Sequence, residues 1–486
     1  MTPMLNRSAR SLISAAAAAA LAGCAVGPDY VRPSAAVAPA YKEQGWNPAQ
    51  PADLAPRGDW WSVFDDPALA ALEAKIAVSN QNVAAAEAAY RQASALLREQ
   101  RAAFFPTIDL GGGATRSGGG SGGAIVTTPG GGGTNIVSSG RGQTSTTYRV
   151  NAGATWEADL WGRIRRSVEG ARGAAQASEA DLAGARLSAQ ATLASSYFQL
   201  RQTDLEIALL TEVSQGYQRS LQIARNRYEQ GVAPKSDLLQ AQSQLASTQA
   251  DLQSLARTRA AFEHAIAVLV GETPSSFSLA ADPNWKAVLP QIPAGVPSAL
   301  LQRRPDIAAA ERRAASASAQ IGVETAAWFP SLTLTGSYGF AANELSGLLG
   351  ASSSVWSFGA SAAQLLFDGG ATNARIKGAR AGYDQAVAEY RQTVLAAFQD
   401  VEDQLASQRT LGAEYDLRRQ AAADADQAAT ILVNQYKEGQ VAYTDVVTAQ
   451  ASALSARRTL VQAAGGRQTT AVALIQALGG GWSAPF

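Results

Sequence analysis

Ser331-Leu332-Thr333-Leu334-Thr335-Gly336-Ser337-Tyr338-Gly339-Phe340 alternates between two sets of side chains with a period of two. In an extended strand Leu332, Leu334, Tyr338 and Phe340 fall on one face, and Thr333, Thr335 and Ser337 fall on the other. Tyr148 to Leu160 reads the same way, with Tyr148, Val150, Ala152, Ala154, Trp156, Ala158 and Leu160 opposite Arg149, Asn151, Thr155, Glu157 and Asp159. The stretches 106–115 and 355–367 carry weaker forms of the pattern. Their lengths suit tilted membrane strands of about 9–11 residues, and Trp156, Trp161, Trp356 and Phe367 are placed to meet the membrane–water boundaries. Four strands cannot close a barrel, because about eight is the working minimum and an open edge in hydrocarbon leaves amides and carbonyls unpaired at several kcal/mol each. The chain must therefore share its sheet with other copies, two copies giving eight strands and three giving twelve.

The strands belong to an internal duplication. Tyr228, Gly231, Asp237, Leu238, Ala241 and Gln242 recur as Tyr436, Gly439, Asp445, Val446, Ala449 and Gln450, and Gly170-Ala171-Arg172 recurs as Gly378-Ala379-Arg380. Upstream, Val83 to Glu87 and Phe105-Pro106 recur as Ile307 to Glu311 and Phe329-Pro330 at a longer spacing, so the first copy carries an insertion. The stretch 111–142, dense in Gly, Ser and Thr, reads as the exposed loop that holds it. No Gly-Lys-Ser or Gly-Lys-Thr follows its glycines, which excludes a phosphate-binding loop.

After each strand pair comes a stretch without proline, 163–230 and 371–438, long enough for a helix of roughly 100 Å at 1.5 Å per residue. Helices over 235–269 and 444–477 follow. Leu238, Ala241, Leu245, Thr248, Leu252, Leu255, Arg259, Phe262, Ile266 and Leu269 recur at three-four spacing, as do Val446, Ala449, Ala453, Ala456, Leu460, Ala463, Arg467, Thr470, Leu474 and Ala477. That is the seam of a coiled coil, here a packing stripe. The turns between long helix and seam helix are Gly231-Val232-Ala233-Pro234 and Gly439-Gln440-Val441-Ala442. Glycine can end a helix in the left-handed conformation, and Ser236 and Thr444 are the expected caps of the next helices. The layout is thus a first repeat over 65–271, a Pro-rich linker over 272–297, a second repeat over 298–478 whose first helix spans 305–328, and a tail over 479–486.

Arg7 and Arg10 precede an apolar, Ala-rich run from Leu12 to Leu21, which Leu21-Ala22-Gly23-Cys24 closes. This pattern is a secretory signal over 1–23, too short to remain as a spanning helix. Cys24, the single cysteine, then begins a segment over 24–64 and cannot form a disulfide within the chain. Forty basic residues balance forty acidic ones, so no basic field exists to hold nucleic acid. The sole histidine, His264, sits beside the seam of a helix and reads as packing or surface; no nucleophile, metal cluster or carboxylate pair has a defined spacing, which argues against an enzyme and against cofactors or metals. Methionine occurs only at Met1 and Met4, so beyond Cys24 no thiol or thioether remains for relaying a soft metal.

Taken together, Leu21 to Cys24, Trp60-Trp61 with Phe64 and Asp66-Pro67, Arg303-Arg304-Pro305-Asp306-Ile307, Trp356-Ser357-Phe358-Gly359, Phe367-Asp368-Gly369-Gly370 and both tip motifs resemble the TolC-like, NodT-type outer-membrane efflux lipoproteins over nearly all of the mature chain. The resemblance implies a mainly α, internally duplicated fold with a membrane β-barrel part: a homotrimer forming a twelve-stranded barrel and a twelve-helix α-barrel tunnel. It implies lipidation of Cys24 by N-acyl and diacylglycerol groups, with Ala25 directing the chain to the outer membrane. It also implies docking of a periplasmic adaptor, or membrane fusion protein, and an inner-membrane pump at the tips Gly231 to Pro234 and Gly439 to Ala442. The family's periplasmic gate maps to Asp237, Tyr436 and Asp445, with Tyr436 expected to donate to Asp237 and Asp445 to ring the aperture. Val441 stands where an arginine can brace that gate, and Thr448 where a second acidic ring can occur. The implied activity is passive conduction of toxic small molecules. A duct for polypeptide secretion would share the architecture, and a non-transporting envelope scaffold would share the helices without needing the strands.

Overall fold

The computed structural model describes residues 25–43, 59–118, 144–292 and 303–480. Expectations for Cys24, for the signal segment, for most of the inserted loop and for the end of the tail lie outside these residues. A short 3-10 turn at Trp60–Phe64 leads to α1 (Pro67–Ser79) and α2 (Gln81–Ala102). Asp66 starts α1 by accepting from the amides of Ala68 and Leu69 at 3.0 and 3.1 Å, and Pro67 occupies a first-turn position where a missing N–H costs nothing. Asn80 separates the two helices: its Oδ1 accepts from the amides of Asn82 and Val83. The strands β1 (Thr107–Gly118) and β2 (Thr144–Ala158) follow, then α3 (Arg163–Glu229) and α4 (Lys235–Leu269). The second repeat supplies α5 (Pro305–Ala326), β3 (Ser331–Ala342), β4 (Ser354–Ala363), α6 (Ala371–Lys437) and α7 (Tyr443–Ala477). The long helices α3 and α6 have 67 residues each and their partners α4 and α7 have 35 each, so the duplication holds to the residue.

Three expectations are corrected. β4 ends at Ala363, short of Phe367, because its partner β3 begins only at Ser331, after Pro330; Ser331 pairs with Ala363 and nothing in β3 is left to pair with 364–367. β1 runs past the expected strand end at Thr115 and takes Arg116 to Gly118 from the stretch read as loop, in register against β2 as far as the pair Gly118 and Thr144. Ser236 and Thr444 do not cap α4 and α7 but lie inside them, since the cap positions fall two residues earlier, at Pro234 and Ala442, whose fixed or extended backbones stand there.

The chain divides into two compact units. One comprises Met1–Val31, Ser94–Gly173 and Ala315–Asp384 and holds the sheet. Within it the segment after Cys24 is strapped down: Val26 N–H donates to Trp161 O at 2.9 Å, and the buried Arg166 guanidinium reaches Gly27 O, Asp29 and Glu169. The other unit comprises Arg32–Ala93, Ala174–Ala314 and Gln385–Phe486 and is helical. Its larger core gathers Trp60, Phe64, Leu69, Ile76, Leu193, Tyr197, Phe198, Ile266 and Val472. A second core gathers Tyr41, Ile307, Tyr390, Val394, Val401 and Leu474. Helices α4 and α7 lie against each other, and Ala241, Thr248 and Ile266 of one predicted stripe and Val446, Ala453, Ala463 and Leu474 of the other are buried.

The two repeats anchor different wrapping segments. On α3 the linker is held by charges: Asp204 accepts from Arg201 at 2.9 Å, Arg259 at 2.7 Å and the Asp282 amide at 3.1 Å, and Arg259 and Glu263 grip both sides of the Leu279 peptide. On α6 residues 34–43 take the wrapping role: Arg391 donates to Ser34 O, Glu402 accepts from the amides of Lys42 and Glu43, and Arg409 pairs with Glu43 at 3.0 Å.

Candidate functional site

The four strands form one antiparallel sheet in the order β1-β2-β3-β4. Its registers align the apolar faces across every pair. Leu110 pairs with Ala152, Ala152 with Tyr338, and Tyr338 with Trp356, while Ile108 pairs with Ala154, Ala154 with Gly336, and Gly336 with Phe358. The opposite face carries Asp109, Asn151, Arg149, Thr155, Thr335, Ser337 and Ser357, with Ser337 and Ser357 hydroxyls 2.9 Å apart. Residues that ordinarily seek a core are left bare on the apolar face: Leu110 is 80% exposed, Trp356 77%, Ile108 75% and Phe358 73%. An exposed apolar row of that size needs a non-aqueous neighbour. The outer sides of β1 and β4 have no strand partner among the described residues. Aromatic side chains gather where the strands meet the helices: Trp156 donates to Phe104 O, Trp161 donates to Pro330 O, and Trp161 stacks on Phe329 at 4.8 Å.

The tips end the long helices. Gly231 and Gly439 take positive φ of 69° and 74°, which lets the chain fold back on the helix end. The Val232 amide then reaches Arg227 O at 2.8 Å, and the Gln440 amide reaches Gln435 O at 2.9 Å. Ala233, Pro234 and Ala442 complete the turns into α4 and α7. Asp445 accepts from the Ala442 amide at 3.2 Å, so its carboxylate holds the start of α7. Asp237 lies in the first turn of α4 beside the Ser236 hydroxyl. Thr448 turns its hydroxyl onto Thr444 O, and Val441 packs against the apolar tip cluster.

Tyr436 does not donate to Asp237. Its hydroxyl is buried with no hydrogen-bond partner, inside a cluster with Ala224, Ala241, Tyr443 and Val446, and the Tyr443 ring lies 5.2 Å away. Burial pushes the Tyr436 phenol above its ordinary value; Arg227 opposes that shift and the Asp237 charge adds to it. Sequence reasoning missed Arg227 and Tyr443, which touch Tyr436; a basic residue immediately before the first-copy tyrosine, where the second copy has Gln435, was the available signal.

The outer membrane efflux protein model matches residues 73–272 and 296–480. The chain belongs to that family. It is 30% identical over 482 residues to the toluene efflux pump outer membrane protein TtgC of Pseudomonas putida, covering 97% of this chain and 96% of that one. It is 28% identical over 469 residues to the cation efflux system protein CusC of Escherichia coli, covering 96% and 98%. Among solved structures it is similar to the outer-membrane channel OprN, with a TM-score of 0.83 at 31% identity over 94% of this chain and 100% of that one. It is likewise similar to the open-state MtrE outer membrane channel of Neisseria gonorrhoeae, with a TM-score of 0.82 at 28% identity, covering 94% and 98%. The protein is an outer-membrane channel of an efflux pump.

Proposed function

We propose that three copies of the chain join β4 of one to β1 of the next, closing a twelve-stranded barrel over a twelve-helix tunnel, and that this homotrimer conducts toxic organic molecules passively out of the cell. The observation that carries the reading is the amphipathic four-stranded sheet with both edges open, which hydrocarbon does not tolerate unless a sister chain pairs each edge. A lipid on Cys24 anchors the chain beside the sheet, and the Val26 and Arg166 contacts just after it support that placement. A periplasmic adaptor and an inner-membrane pump engage the tips Gly231 to Pro234 and Gly439 to Ala442, the pump supplying the energy. Tyr436, Asp237 and Asp445 form the gate, with three Asp445 carboxylates drawing cations to the mouth. The channel works without a cofactor. Organic compounds, as in the name of TtgC, suit this chain better than the soft metal cations, because methionine is confined to Met1 and Met4 and cysteine to Cys24. Mass measurement of the detergent-purified mature protein, with conductance in planar bilayers, tests the assembly: a conducting trimer is expected, and a silent monomer would overturn it.

A further inference from the structure

Arg227 belongs to the first repeat but grips the second. Its guanidinium lies over the Tyr436 ring at 4.7 Å, and its Nη1 donates to Tyr436 O at 2.9 Å. That carbonyl also accepts from the Gly439 amide at 3.0 Å, so Arg227 binds the closing turn of α6, at the negative end of the helix dipole. The Arg227 carbonyl in turn accepts from the amides of Val232 and Ala233, at 2.8 and 3.2 Å. One residue thus ties the turn that ends α3 to the turn that ends α6. The matching residue of the second repeat is Gln435, which carries no charge and cannot make a cation–π contact, and the matching ring, Tyr228, is 39% exposed in the single chain.

We infer that Arg227 is a positioning residue of the gate, pinning α6 to α3 within each protomer, and that the mouth parts first at the seams between protomers, where Gln435 and Tyr228 meet without a pin. The inference rests on the trimeric channel proposed above. In a ring of alternating repeats each first-repeat tip has a second-repeat tip on either side, and Arg227 serves only one of those two contacts.

Full-length lipidated protein in planar bilayers tests this, with Arg227→Gln, Arg227→Lys and Gln435→Arg compared with the parent and with Tyr436→Ala as an opened reference. Arg227→Gln is expected to raise the occupancy of the high-conductance state by about fivefold, the factor set by one hydrogen bond of ordinary net strength. Arg227→Lys keeps the charge but loses the planar fork and is expected to fall between Arg227→Gln and the parent. Gln435→Arg adds the missing pin and is expected to lower occupancy below the parent. An Arg227→Gln trace matching the parent, a parent already as open as Tyr436→Ala, or a Gln435→Arg variant no tighter than the parent would overturn the inference. If Arg227→Gln does not form trimers on a native gel, Arg227→Lys and Gln435→Arg decide by the same criteria. Silence from every variant would strike the channel reading itself.

Discussion

Tyr436 and Tyr228 occupy matching places in two copies of one motif, yet 5% of the first and 39% of the second is exposed. The motif residues Tyr, Gly, Asp, Ala and Gln are shared at the same spacing, and so is the glycine-ended turn. The difference lies in what the chain brings alongside: α3 and α4 help to cover Tyr436, whereas Tyr228 is left partly exposed. A similar inequality runs up the helices. Arg259 in the first repeat meets the buried Asp204, while its counterpart Arg467 lies over the Tyr415 ring at 4.8 Å, because Gly412 stands where Asp204 would be. Duplication fixed the helices and turns, and each repeat then found its own partners.

Removing the most committed of those partners is expected to have the largest effect. Asp204→Ala leaves the buried Arg201 without a carboxylate, leaves Arg259 with Glu263 alone and frees the Asp282 amide, a loss of about 3–5 kcal/mol. The opposite number is the Arg409–Glu43 pair, in which the arginine side chain is 56% exposed, and Glu43→Ala is expected to cost at most about 1 kcal/mol. Thermal melting of the helical signal in detergent measures both. Equal losses would show that the two wrapping segments are equivalent anchors after all.

The second-largest effect comes from an acid in the same half that lacks what Asp204 has. Glu73 is buried in α1 among apolar residues, and neither of its oxygens has a hydrogen-bond partner. Burial pushes its carboxyl up to about 9. Between the ordinary value near 4.5 and about 9 the unfolded chain releases this proton and the folded chain keeps it, so stability falls as pH rises through that window. Glu73→Met is expected to gain on the order of 2–3 kcal/mol at neutral pH and little near pH 4.5. Melting curves at pH 5 and pH 8 check the sign: the parent should lose more on going to pH 8 than the variant does. An unchanged difference between parent and variant at the two values would mean that Glu73 is ionised in the fold.

Much of this architecture could be read from spacing alone. The period-two segments set the apolar faces that the registers then align, since a side chain's face depends only on position along a strand. The long helices and both tips followed from proline-free runs closed by glycine. What spacing could not reveal depends on a second segment. The end of β4 is set by where β3 begins, so Leu365, Leu366 and Phe367 read as strand and are not. The resemblance implied Tyr436 as a donor to Asp237, but the fold buries its hydroxyl and gives the ring to Arg227, 209 residues away in sequence. Asp204 and Glu73 are both single acids in helical stretches, and only the positions of Arg201, Arg259 and the linker give one its partners and leave the other with no hydrogen bond.

The smallest effect tests whether the tips differ intrinsically or only through their neighbours. Gly231 and Gly439 have nearly the same positive φ, and a Cβ placed on either would have nothing within 4 Å, so an alanine meets no obstacle beyond its own backbone. That penalty is about 1 kcal/mol for each, because the left-handed conformation crowds Cβ against the neighbouring carbonyl regardless of context. Gly231→Ala and Gly439→Ala should therefore speed hydrogen exchange of the Val232 and Gln440 amides, the ones that close each turn, by similar factors. Matching factors would place the whole asymmetry of the tips in Arg227 and Gln435. A clearly larger effect at Gly439 would mean that the second turn is inherently more strained, and that the exposure difference between the two tyrosines begins in the backbone rather than in the side chain that covers one of them.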